Sequence, residues 1–306
     1  MKLHLDDKLF KNYIALASQE EKIDEAIILK DYFVVLALKE LYKNQKDLIF
    51  IGGTSLSKCY QIIERFSEDI DIVATAKSRK AKQKATHEAI ENLVNTWSWK
   101  TESSNPIHSD FKEVYLYYDT EHQSELDQRV KLELITFTDP FPVIEKEITP
   151  IIYKYLEEDE KIKFEIDKIK VLTQEPFRTF VEKITLEKEL YKEFLEKKAS
   201  DESQEKRARD FYDIHKIWQF YHKNMPITQG DFIGMLDSRI KHRRERTIIS
   251  IDTYNDYSLL DMFLKRNIRM QLEEADKKKL SIRDLDCDDI ETSLKEIDDF
   301  FVKLLR

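Results

Sequence analysis

The chain has 306 residues, 36% of them charged and 41% hydrophobic, with a formal net charge of −9. It is long enough for one large or two modest domains and too apolar for general disorder. With only 4 glycines and 6 prolines it lacks the frequent turns of a many-stranded barrel or sandwich, and its acidic balance excludes a global nucleic-acid footprint.

From the N-terminus, residues 8 to 45 read as helix, with apolar positions at helical spacing in "IDEAIILKDYFVVLALKELY". The short apolar run Leu48 to Ile51 then enters a glycine pair and reads as a buried strand ending in a tight turn. "TSLSKCYQIIERF" is predicted as a helix capped by Thr54 or Ser55, and "EDIDIVAT" as the next strand. A helix follows over residues 78 to 96, then strands over 110–119 and 129–137. In the latter Val130, Leu132 and Leu134 face one way and Lys131 and Glu133 the other. Residues 138 to 172 give no clear pattern. From Pro176 onward the sequence reads as amphipathic helices over 176–198, 205–222, 228–242, 256–277 and 282–304. The expected organisation is an α+β domain over residues 1–172 followed by a helical domain over 173–306. Cys59 and Cys287 form no CxxC, no signal-peptide core opens the chain, and no apolar run reaches the ~18 residues of a membrane span. A cytoplasmic protein with no membrane partner is expected.

The stretch from Gly52 to Ile72 carries the chemistry. Two of the 4 glycines stand side by side at Gly52 and Gly53, and the stretch closes on Asp69-Ile70-Asp71. Glycines after a strand let successive backbone N–H groups form an anion-binding nest, and the following helix adds its positive end. Thr54 and Ser55 offer hydroxyl donors. Asp69 and Asp71 alternate with isoleucines, so both carboxylates share a strand face, an oxygen-ligand pair suited to Mg²⁺ (or Mn²⁺) alongside substrate phosphates. Either feature alone also fits an ordinary turn or a solvated strand face. In this order they describe a centre for phosphoryl or nucleotidyl transfer. The histidines show no metal-ligand spacing, and no HExxH, GxSxG or Walker motif is present.

This stretch resembles motif I of the DNA polymerase β-type nucleotidyltransferase superfamily. More narrowly, the chain resembles the AbiEii/AbiGii abortive-infection toxins, whose relatives include the MenT toxins. "LKDYFVVLALKEL" is similar to the helix before motif I, "VKLELITF" to the third-carboxylate strand, "RTFVEKITLEKEL" to the Lys-bearing helix, and "RARDFYDIHKI" to the Arg-Asp-x-Tyr-Asp helix. The likeness spans roughly residues 25 to 220. It implies a polymerase β-like core, a small mixed sheet flanked by helices, followed by a mostly helical C-terminal part.

The resemblance implies roles by residue. Gly52, Gly53, Thr54 and Ser55 hold phosphate. Asp69 and Asp71 bind metal, with Glu133 as third carboxylate; Glu133 also reads as an exposed glutamate beside Lys131. Ser67 either braces the turn or touches the ligand. Arg65 either offers charge to the triphosphate or pairs with Glu64 or Glu68. Lys183 meets the triphosphate, or snorkels to solvent. Asp210 lines the nucleotide pocket, or pairs with Arg207 or Arg209. Asp213 shares its face, and Tyr212 reads as core. Two basic runs, Lys77 to Lys84 (with Arg79, Lys80 and Lys82) and Arg239 to Arg246 (with Arg243 and Arg244), are solvated faces or local RNA footings. The expected function is a metal-dependent nucleotidyltransferase, the toxin of a toxin–antitoxin or phage-defence pair. It uses an NTP, is held by a cognate antitoxin, and takes a tRNA 3′ end or other RNA as its attractive acceptor. The alternatives are a nucleotide-binding regulatory module with little turnover, or transfer to a protein or small-molecule hydroxyl.

Overall fold

A computed structural model describes residues 2–43, 47–67, 69–76, 78–103, 111–119, 128–136, 138–196, 205–242, 249–275 and 285–306. The chain divides into two compact units. The first comprises Met1–Cys59 and Ser67–Gln174; the second comprises Tyr60–Phe66 and Glu175–Arg306.

The first unit is built on helices α1 (Asp7–Glu21), α2 (Glu25–Tyr42), α3 (Gly52–Tyr60), α4 (Arg79–Thr96) and α5 (Glu158–Phe164). Its strands are β1 (Leu48–Ile51), β2 (Ile70–Ala74), β3 (Thr101–Ser103), β4 (Phe111–Tyr117), β5 (Arg129–Ile135), β6 (Val143–Ile148) and β7 (Ile169–Gln174). They form one mixed sheet in the order β3-β4-β5-β2-β1-β7-β6. β2 runs antiparallel to β1 and parallel to β5, and β1 runs parallel to β7. This is the mixed sheet with flanking helices that the sequence resemblance implies.

One sheet face supplies Phe50, Ile70, Ile72, Leu132 and Leu134 to a core closed by Phe33 and Leu38 of α2 and Ile90 and Leu93 of α4. At its end His4, Phe10, Tyr32, Phe33, Trp97, Trp99 and Tyr118 form an aromatic cluster, with Phe33 stacked on Tyr118 at 4.0 Å. The opposite face carries Ile49, Ile51 and Val73 beside Ile135, Val143 and Leu172. Because strand side chains alternate, that second face also takes Asp71 and Glu133. The long helix expected over residues 8–45 is two helices. Lys22 adopts a left-handed conformation (φ 56°) as the C-cap of α1, and Asp24 then accepts a hydrogen bond from the Ala26 N–H to start α2.

The second unit holds α6 (Pro176–Leu195), α7 (Glu205–Phe220), α8 (Gln229–His242), α9 (Leu259–Lys265), α10 (Ile268–Ala275) and α11 (Cys287–Leu304). The helix expected over 256–277 is broken: Asn267 turns left-handed (φ 53°) between α9 and α10. Phe180 of α6 stacks on Trp218 and Phe301. Lys188 is buried and donates to the Tyr254 and Tyr257 carbonyls at 3.1 and 2.6 Å, so its charge fastens the segment before α9 onto α6. No helix among the described residues is long and apolar enough to cross a membrane.

Candidate active site

In the first unit the site begins where β1 ends. Gly52 has φ +79°, and a methyl group on its Cα would lie 2.1 Å from Asp71 Oδ2. The position therefore demands glycine twice over, for backbone conformation and for the carboxylate packed against it. β2 brings Asp71 there: it stands opposite Ile51 of β1 and opposite Glu133 of β5. The first N–H groups of a helix lack intrahelical partners, and α3 starts at Gly52. The strand acid is thus placed at the helix end that favours negative charge.

The hydroxyls of the turn are turned inward. Ser55, fully buried, donates from Oγ to the Gly52 carbonyl at 2.8 Å. Thr54 Oγ1 and Ser67 Oγ share a hydrogen bond of 2.8 Å. The Ser55 hydroxyl hydrogen is thus spent on the turn, whereas the Thr54–Ser67 bond uses one of their two hydroxyl hydrogens. Ser67 fastens the segment that leads into Asp69.

Asp69 and Asp71 flank Ile70, whose side chain is buried on the core face. Two carboxylates with phosphate oxygens make a hard-oxygen set of the kind Mg²⁺ takes, and Gly52, having no side chain, admits the Asp71 carboxylate against the turn. The pair fits a divalent ion. Among the described residues, however, no three His, Cys, Asp or Glu side chains are gathered as a metal-holding group. Glu133 is engaged by Lys131, which is also 2.8 Å from the Glu113 carboxylate of β4. Burial opposes the Lys131 charge, but hydrogen bonds to Glu113 and Glu133 and the field of Asp69 outweigh it and raise its pKa above the ordinary lysine value.

In the second unit, four charged groups form one network. Arg65, carried by Tyr60–Phe66, donates to both Asp213 carboxylate oxygens at 2.7 Å and to the Phe66 carbonyl at 3.0 Å. Its partner is Asp213 rather than Glu64, and Glu68 lies outside the described residues. Lys183 of α6 pairs with Asp210 and lies 3.1 Å from Asp213 Oδ2. The alternative reading of Lys183, snorkelling to solvent, does not occur; its side chain is 15% exposed. Burial alone would raise the fully buried Asp213 carboxyl, yet Arg65 and Lys183 hold it below the usual carboxylate range. Tyr212 is core, as expected, and its hydroxyl accepts from the Glu64 N–H at 3.3 Å. Sequence reasoning undervalued Asp213. Its available signal was the three-residue spacing from Asp210, which puts both on one face of α7.

The basic runs are only partly at the surface. Lys80 is exposed at the start of α4. Lys82 is not available as an RNA contact: it is 9% exposed, with Nζ 3.2 Å from the Asp139 carboxylate and 3.5 Å from the Thr138 carbonyl. It lies on the inward side of α4, whereas Lys80 and Lys84 are exposed. Arg239, at the head of the second run, is committed to Glu189 through two hydrogen bonds of 3.0 and 2.6 Å. Lys77, Arg243 and Arg244 lie outside the described residues, as does the side chain of Arg79.

No curated protein matches the chain. A solved structure similar to it is that of JHP933 from Helicobacter pylori, with 15% sequence identity, a TM-score of 0.45, and coverage of 91% of this chain and 93% of that one. The family profile described as "Nucleotidyl transferase AbiEii toxin, Type IV TA system" matches residues 37–302, which takes in the glycine turn, the strand acids, Lys183 and the α7 aspartates. The chain belongs to the AbiEii family of nucleotidyltransferase toxins of type IV toxin–antitoxin systems.

Proposed function

We propose that this protein is a divalent-metal-dependent nucleotidyltransferase that moves a nucleotide from an NTP onto an acceptor hydroxyl, with a tRNA 3′ end as the acceptor class. It acts as a cytoplasmic toxin, restrained by a cognate antitoxin, in phage defence. The observation that carries the reading is the packing of Asp71 against Gly52 at the start of α3, where a methyl group would lie 2.1 Å from its carboxylate oxygen. A metal-binding acid and a phosphate-binding turn are thereby built as one object.

Asp69 and Asp71 hold the metal, Mg²⁺ or Mn²⁺, and the N–H groups of the Gly52–Gly53 turn take phosphate oxygens. The bound ion supplies charge neutralisation for the triphosphate and the departing pyrophosphate. The acceptor oxygen bonds to the α-phosphorus, the bond from that phosphorus to the β-phosphate oxygen breaks, and pyrophosphate leaves. The hydroxyl proton passes to a carboxylate oxygen, for which Glu133 is the proposed group. Lys183 and Asp210 are assigned to the nucleotide. The family pattern supports this, as does the network that holds the Lys183 ammonium in its charged form. Arg65 and Asp213 position Lys183.

The test incubates the protein with each labelled NTP, Mg²⁺ and total cellular RNA, then sizes the labelled product and measures pyrophosphate. Labelled tRNA-sized RNA with stoichiometric pyrophosphate is expected. NTP retained without pyrophosphate release identifies a binding module, and label on protein or small molecules reassigns the acceptor.

A further inference from the structure

The sheet face that carries Asp71 also carries a cation of its own. Lys131 sits on β5 two residues before Glu133, and side chains two apart on a strand share a face. Its ammonium is paired with Glu133 on its own strand and lies 2.8 Å from the carboxylate of Glu113 on β4. Glu133 stands opposite both Asp71 of β2 and Glu113 of β4. The acids of three neighbouring strands thus line up across the sheet, with Lys131 holding two of them. All three side chains of the Lys131, Glu113 and Glu133 group are about four-fifths buried, so solvent screens them only partly.

We propose that Lys131 is the resident competitor of the divalent cation: it holds Glu133 when no metal is bound and surrenders it to the Asp69–Asp71 site when metal arrives, remaining paired with Glu113. Lys131 and Glu113 are positioning residues, and they act through Glu133. The inference rests on the proposed metal site at Asp69 and Asp71. Its physical basis is direct. A fixed positive charge beside a cation site raises the cost of loading a second cation, and it keeps a third carboxylate from completing the set. A carboxylate that can receive the displaced ammonium lowers that cost, because no buried charge is left unpaired. Metal then binds best when it arrives with the negative charge of a triphosphate.

The test measures Mn²⁺ binding by the loss of the free-ion paramagnetic signal, on the full chain without nucleotide, with melting temperatures recorded in parallel. Lys131→Met keeps length and removes charge, and it is expected to tighten Mn²⁺ binding by about tenfold. Glu113→Gln, which leaves Lys131 more firmly on Glu133, is expected to weaken it by about threefold. Lys131→Arg, whose planar fork grips carboxylates more firmly, also weakens it, and it decides the matter if Lys131→Met does not fold. Wild-type affinity in Lys131→Met, or in Lys131→Arg where the Met variant does not fold, overturns the inference. Asp71→Asn separates the two claims. If it abolishes Mn²⁺ binding while the Lys131 variants leave binding unchanged, the metal site stands and the competitor falls. If it leaves Mn²⁺ binding intact, the metal site itself is wrong.

Discussion

Asp71 and Asp213 are both acids that the sequence resemblance picks out, yet their surroundings differ in kind. Asp71, partly buried, lies on the central strand β2 against a glycine, at the positive end of a helix, in a row with Glu133 and Glu113. Asp213 is fully buried in an all-helical unit and is met by Arg65 and Lys183, with Asp210 completing a set of two cations and two carboxylates. The second cluster is balanced by the chain itself and forms as the unit folds. The first gathers carboxylates on one sheet face, an arrangement that gains from an added cation. Removing an acid from the first should therefore cost reaction, and removing one from the second should cost stability.

The largest expected effect breaks the first half of that contrast. Asp71→Asn should lower nucleotide transfer by at least about a thousandfold, several kcal/mol of transition-state stabilisation, with the melting temperature held near wild type. Gly52→Ala should lose transfer and also stability, because the new methyl group meets Asp71 Oδ2 at 2.1 Å from a left-handed backbone position. Transfer rates within tenfold of wild type in Asp71→Asn would remove the catalytic assignment.

The second half is tested at Asp213. Asp213→Asn leaves Arg65 and Lys183 buried without their shared carboxylate, and removing one partner of a buried pair costs about 3–5 kcal/mol. Denaturant unfolding of the second unit should show it. Lys183→Ala should also destabilise, since Asp210 and Asp213 then face each other without the ammonium. Its loss of transfer must therefore be measured well below the melting temperature. An Asp213→Asn variant as stable as wild type would mean that the network is not what holds Arg65 and the Tyr60–Phe66 segment in place.

What was legible in the sequence follows the same divide. The strand alternation of Val130, Leu132 and Leu134 against Lys131 and Glu133 is a local period, and the structure reproduces it. The strand–turn–helix–strand order around Gly52 and Asp71 was readable for the same reason: each signal lies within a few residues of the next. The pairing of Arg65 was not readable, because its partner is 148 residues away while Glu64 and Glu68 are sequence neighbours. The breaks at Lys22 and Asn267 were missed because single left-handed non-glycine residues carry no reliable mark. β6 and β7 went unread because β6 is an edge strand of alternating charge, Val143 to Ile148, whose pairing with β7 is set by residues 169–174 beyond an intervening helix.

Each unit carries a buried histidine kept neutral. His4 in the first shares a 3.0 Å hydrogen bond with the Tyr32 hydroxyl, and His215 in the second shares one of 2.8 Å with Ser293. Burial, then the nearby charges of Lys2 and Lys216 respectively, lowers each to about 4. A folded pKa below the unfolded value of 6.5 means that the unfolded chain binds the extra proton. Stability is then fully present above about pH 6.5 and is lost as pH falls toward 4, by at most ~3 kcal/mol per histidine. Unfolding midpoints measured from pH 7 to pH 4.5 should fall in both units. His4→Gln and His215→Gln should each flatten the fall in their own unit alone, and a fall unchanged in both variants would assign it to other groups.

The smallest expected effect concerns the acceptor. Acids at the reaction centre repel a phosphate backbone, so an RNA acceptor needs a basic footing elsewhere on the protein. The run after β2 is the better placed of the two candidates for it, although Lys82 within that run is turned to Asp139. Lys80 and Lys84 remain on outward positions of α4, Lys84 with its side chain 77% exposed and loosely paired to Glu88. Two solvated lysines contribute about two counterions to the salt dependence of binding. Lys80→Glu with Lys84→Glu should therefore lower RNA labelling by roughly tenfold at moderate salt and reduce the salt slope by about two, while NTP binding stays unchanged. Lys82→Gln should instead lower stability slightly and leave the salt slope alone. If the double reversal leaves both labelling and slope at wild-type values, α4 is a solvated helix and the acceptor is held by other residues.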